Sequence, residues 1–138
     1  MRLATLALLF ALPLAARAAD DAASAYRIES TRGPLKLKQG AAGKAHVEIV
    51  PRAGAHVSPD APLSVALSSG EALKLEKAKL LRADTHETQA KGVEFDVPFV
   101  AAGPAGTSEV KATVNFFICT ETLCERQKRD VTLAVLVE

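Results

Sequence analysis

Cys119 and Cys124 are the only cysteines of this 138-residue chain, and both fall in one short stretch, FFICTETLCE. Two sulfurs that close together could serve three chemistries: a thiol pair that cycles with a disulfide, a permanent structural bridge, or two thiolates of a metal clip. The clip would draw further ligands from His46, His56 and His86. Those histidines show no mutual spacing that suggests a site, and a C-x4-C pair alone is a weak zinc signature. No metal and no cofactor is therefore expected. The sequence also lacks a G-x-S-x-G elbow, an H-E-x-x-H helix and a P-loop, which leaves the sulfurs as the candidate chemistry.

The elements that must hold the sulfurs are strands. Val93, Phe95, Val97 and Phe99 alternate with polar residues or proline, and Val110, Ala112, Val114, Phe116 and Ile118 form a second period-2 set. A third set is Val131, Leu133, Val135 and Val137. Weaker candidates are Tyr26 to Ser30, Leu35 to Lys38, Ala45 to Val50, Leu63 to Leu67 and Leu73 to Leu81. Gly, Pro, Asp and Ser cluster between these segments as turns. Pro98 cannot donate to a ladder, so its strand is expected at an edge or with that nitrogen facing out. The run from Glu71 to Ala83, rich in Leu, Glu, Lys and Ala, offers a helical alternative. The pattern predicts an all-β fold: an immunoglobulin-like antiparallel β-sandwich of about seven or eight strands.

If the last two strong strands form a hairpin with Thr120 to Leu123 as its loop, Cys119 lies opposite Cys124. The same register sets Ala112 against Val131 and Val110 against Leu133, apolar against apolar. It also puts Cys119, Phe117 and Asn115 on the other face, beside Cys124, Arg126 and Lys128. Val114, Phe116 and Ile118 would then meet Arg129, Gln127 and Glu125, so the tip is expected to project beyond the core or to contain a bulge. Opposed Cβ atoms are about 4.5 to 5.5 Å apart, so a Cys119–Cys124 disulfide is predicted. Closing so small a ring is worth only about 2 kcal/mol by chain entropy, which leaves both the clasp and the redox reading open.

The chain begins MRLATLALLFALPLAARAAD, with a basic start, an apolar run interrupted by Pro13, and an A-x-A site at Ala16-Arg17-Ala18. This reads as a signal peptide over residues 1–18 followed by one domain over residues 19–138. Localisation is expected to be periplasmic or secreted, with no lipid-anchor cysteine and no membrane span in the mature chain. The chain has 17 Lys and Arg against 16 Asp and Glu, and losing Arg2 and Arg17 with the leader leaves a charge of −1. That balance predicts no nucleic-acid partner. Export also places the cysteines where disulfides persist.

The segment Asn115 to Cys124, preceded by a Val-rich strand and followed by Val131-Thr132-Leu133-Ala134-Val135, resembles the N-terminal domain of the DsbD thiol-disulfide interchange protein and the related disulfide bond corrector domains. Upstream, Ala55-His56-Val57-Ser58-Pro59-Asp60-Ala61-Pro62-Leu63 is similar to that family's His-Val-Asn-Pro-type turn, so the resemblance spans roughly residues 46–137. It implies an immunoglobulin-like periplasmic domain, with Cys119 and Cys124 as a redox pair and Phe116, with its neighbour Phe117, shielding the sulfurs. After Cys124 the chain departs from the family pattern, carrying Glu125-Arg126-Gln127 in place of an apolar residue and prolines.

Two functions follow as expectations. One is an exported thiol-disulfide interchange domain that exchanges electrons with an unidentified envelope protein or a thioredoxin-like redox partner. The other is a non-catalytic binding module whose Cys119–Cys124 disulfide is only structural.

Overall fold

The structure is a computed structural model and describes residues 21–138; the expected leader lies outside the described residues. Among the described residues, eleven strands form two facing sheets. The first sheet runs β1 (Tyr26–Ser30), β3 (Ala42–Pro51), β9 (Val93–Ala101), β6 (Leu73–Leu75), with β8 (His86–Glu87) also on β9. The second runs β2 (Leu35–Leu37), β11 (Cys124–Val137), β10 (Gly106–Cys119), β5 (Ser64–Ser69), β7 (Lys79–Leu81), with β4 (His56–Val57) also on β10. All pairings are antiparallel except β2 on β11. This is the expected immunoglobulin-like sandwich. The strand number exceeds the expected seven or eight because five of the eleven are only two or three residues long.

Alternation explains why these segments become strands. On β9, Val93, Phe95, Val97, Phe99 and Ala101 are buried, and on β10, Val110, Ala112, Val114, Phe116 and Ile118 face them. β3 adds Ala45, Val47 and Ile49, and β11 adds Leu133, Val135 and Val137. Burying a phenylalanine of this kind contributes about 1.5 to 3 kcal/mol, and Phe95, Phe99 and Phe116 are all fully buried. Pro98 lies opposite Lys44 of β3, but on the other side of β9 it falls in the gap between the stretch paired with β8, Val93 and Glu94, and the stretch paired with β6, Phe99 to Ala101. The missing N–H is tolerated in that gap.

The helical alternative for Glu71 to Ala83 is corrected. Leu73 and Leu75 join β9 in the first sheet while Leu80 pairs with Val65 in the second, so the segment crosses between layers. Only Arg82–Asp84 coil, as a single 3-10 turn. Its leucines are anchored in two different sheets, and that tertiary demand overrides local helix propensity.

Candidate functional site

The β10–β11 ladder is unbroken over fourteen pairs, from Gly106↔Val137 to Cys119↔Cys124. The expected register holds throughout, but neither a bulge nor a projecting tip occurs. Tyr26 provides the reason. Its ring meets Phe116 edge-on at 5.0 Å, its hydroxyl donates to Gln127 Oε1 at 3.0 Å, and the Arg129 guanidinium lies 5.3 Å from the ring centroid. An amphipathic side chain thus lets Gln127 and Arg129 stand opposite Phe116 and Val114 without exposing the core. Burial raises the Tyr26 phenol above its ordinary pKa, against the opposing pull of Arg129.

At the end of the ladder Cys119 and Cys124 form a disulfide, with Cα atoms 4.0 Å apart. The turn is built by Thr120: its N–H donates to the Leu123 carbonyl at 2.7 Å, and its Oγ1 accepts from the N–H groups of Thr122 and Leu123, each at 3.3 Å. A side-chain hydroxyl here replaces a missing backbone partner. Leu123 tucks against the core.

The two sulfur-bearing residues differ in exposure. Cys119 is 4% exposed because β4 flanks it on the other side, with His56 as its partner and Ser58 N–H donating to the Phe117 carbonyl at 2.9 Å. Cys124 begins β11, which among the described residues has no strand partner there other than β10, and it is exposed. The two aromatics also part company. Phe116 points into the core, on the opposite face from the sulfurs, so the shielding role expected of it does not fit its position; Phe117, half-buried, is the aromatic on the Cys119 face. Around the tip lie the exposed carboxylates Glu121 and Glu125, and Arg126 reaches back to Asn115 Oδ1 at 3.4 Å. A hollow of about 480 Å³ beside the tip is lined by Pro51, Arg52, His56, Lys91 and Glu121 among others.

Along β11 the second sheet has an open border. Among the described residues, β2 covers it only at Val135, Leu136 and Val137, so residues 124–134 have a strand partner on one side alone. β1 borders the first sheet on the same side, and a cleft of about 350 Å³ separates the two, lined by Tyr26, Arg27, Ile28, Arg129, Asp130 and Val131 among others.

Of the three histidines, only His56 lies near the sulfurs. His46 stands on the outer face of the first sheet with Glu48 and Glu94, a grouping that sequence spacing did not suggest. The signal was present as two alternations, His46-Val47-Glu48 and Glu94-Phe95-Asp96, but only the β3–β9 register brings them together.

The fold and the site define an immunoglobulin-like β-sandwich domain whose C-terminal hairpin is closed by a disulfide. No known family profile and no curated protein matches the chain. Among solved structures it is similar to E. coli alpha-2-macroglobulin in its native conformation, at 19% identity and a TM-score of 0.48, over 80% of this chain and only 6% of that one. It is also similar to AggA, the major subunit of E. coli aggregative adherence fimbriae type I, at 14% identity and a TM-score of 0.40, over 82% of this chain and 94% of that one. Murine CRIg aligns at 7% identity and a TM-score of 0.42, over 82% of this chain and 98% of that one. At such identities and scores these likenesses carry nothing about activity.

Proposed function

We propose that the chain is an exported immunoglobulin-like binding module in which the Cys119–Cys124 disulfide is a structural clasp. The observation that carries this reading is the placement of Cys119: buried, flanked on both sides by strand, and closing an uninterrupted ladder. A sulfur held in that way is poorly open to attack. The disulfide itself fits an oxidising compartment outside the cytoplasm. The partner would be another envelope protein, contacted through the open β11 border, where unpaired backbone groups can accept an added strand.

A second reading rests on the exposure of Cys124 and on the resemblance to the DsbD N-terminal domain. In it, a partner thiolate attacks the Cys124 sulfur and Cys119 leaves as a thiolate; a second thiol of the partner then resolves the mixed disulfide, so that the partner ends as a disulfide and Cys119 and Cys124 as thiols. One experiment separates the two. Envelope proteins cross-linked to the wild type are compared with those cross-linked to a Cys119→Ser, Cys124→Ser double variant, and with any disulfide-trapped by Cys119→Ser alone. The clasp reading expects the same partners from wild type and double variant and no trapped adduct. A trapped adduct on Cys124, with partners lost from the double variant while it remains folded, would favour exchange.

A further inference from the structure

The outer face of the first sheet holds an arrangement of charge that the sandwich does not need. Glu29 of β1, Glu48 of β3 and Glu94 of β9 lie in register across three strands, and His86 of β8 extends the row. Like charges directly opposed across strands destabilise a sheet. Glu29 is relieved by Arg27, whose Nε lies 2.8 Å from its carboxylate. For Glu48 and Glu94 the nearby candidate is His46, one step along β3 on the same face. One ligand atom each from His46, Glu48 and Glu94 lies within 4.8 Å of the others.

The histidine is oriented. Its Nδ1 lies 3.0 Å from Asp96 Oδ1, and Lys44 Nζ holds the other oxygen of that carboxylate at 3.0 Å. An ionised carboxylate only accepts, so the proton of this contact sits on Nδ1. In the neutral imidazole Nε2 then bears a lone pair, and it lies 3.7 Å from Glu94 Oε2. A lone pair set against carboxylates calls for a cation between them, either a proton or a metal ion. Tetrahedral zinc with bonds of about 2.0 to 2.1 Å separates its ligand atoms by roughly 3.3 Å, so the 3.7 Å between Nε2 and Glu94 Oε2 is only a few tenths of an ångström longer than a shared metal requires. A carboxylate on the far ring nitrogen is also how metal-binding histidines are held in tautomer and direction. The platform beneath is stiff, since Val47 and Phe95, on the inner face of the same two strands, are fully buried.

We propose that His46, Glu48 and Glu94 form a surface site for a divalent transition-metal ion of zinc's class, with Asp96 as the residue that orients His46. Three protein ligands leave a position open to water or to a donor from a partner.

The test is calorimetric titration of the intact, disulfide-closed protein with zinc chloride at pH 7.5, together with imidazole nitrogen shifts by NMR. The expected result is one zinc per chain, with His46 Nε2 shifting on addition while Nδ1 keeps its proton. His46→Ala and the Glu48→Gln, Glu94→Gln pair should each weaken binding at least tenfold, with Asp96→Asn weakening it by about tenfold as expected for an orienting carboxylate. His86→Ala and His56→Ala should leave it unchanged. All these positions except partly covered Glu48, Glu94 and His56 are exposed, and thermal unfolding of the metal-free variants checks that each is folded. Absence of binding up to millimolar zinc, or binding that survives His46→Ala, would overturn the proposal.

Discussion

The Tyr26 hydroxyl donates to Gln127 Oε1 at 3.0 Å, joining the border strands of the two sheets across 101 positions of sequence. This bond is part of what lets β11 run straight to the disulfide with polar residues opposite an apolar β10. Tyr26→Phe keeps the ring on Phe116 and removes only the hydroxyl, so it should cost about 0.5 to 1.5 kcal/mol. Tyr26→Ala, which also removes the ring, should cost about 3 to 5 kcal/mol as large-to-small changes of aromatics do. Urea unfolding measures both, and equal losses in the two variants would show that the ring contributes little.

The Cys119–Cys124 ring is small, with a sequence separation of 5. The double serine variant should therefore lose about 2 kcal/mol and remain folded, because the rest of the ladder does not depend on the bridge. Its circular dichroism should match the wild type. A variant that unfolds at room temperature would assign the clasp a larger part in stability than chain entropy allows.

Gly92 precedes β9 in a buried position where a Cβ would collide with the Ile49 carbonyl oxygen and the Pro51 ring. Backbone cannot yield as a side-chain tip does. Gly92→Ala should cost about 1 to 3 kcal/mol, as overpacking does. Gly40→Ala, where no atom lies near the added methyl but φ is +86°, separates backbone strain from collision when both are unfolded by denaturant.

Asp84 accepts from Lys77 Nζ at 2.5 Å and from Leu81 N–H at 2.9 Å, and these bonds, the Lys77 one first, hold its carboxyl below the ordinary pKa of 3.8. A folded-state pKa below the unfolded one means stability present above about pH 3.8 and lost as pH falls through the lower folded value. Asp84→Asn should therefore be less stable than wild type at pH 7 and indistinguishable from it once the Asp84 carboxyl of the wild type is protonated in the folded state as well as the unfolded one. A difference that persists unchanged into strong acid would assign the effect to the turn's shape and not to charge.

Much of this was legible in the sequence because it is local. The register of the last hairpin follows from two alternating apolar sets and a four-residue loop, and it correctly places Cys119 on Cys124, Ala112 on Val131 and Val110 on Leu133. Strand β1 is found at Tyr26–Ser30 as expected. What was not legible depends on contacts distant in sequence. Nothing near Phe116 says that Tyr26 will cover it, so the sequence alone points to a projecting tip or a bulge where neither is needed. Leu73 and Leu80 look like one helical face until β9 and β5 claim them separately. The meeting of His46 with Glu94 likewise exists only through the β3–β9 register.

On the reading proposed above, the Cys119–Cys124 bond is a clasp and not a carrier of electrons. Its reduction potential, measured by equilibration against dithiol buffers, tests this most directly. The clasp predicts a value below about −300 mV, out of reach of the glutathione pool, whereas a value near about −200 mV or higher would contradict it and make the pair an exchange site.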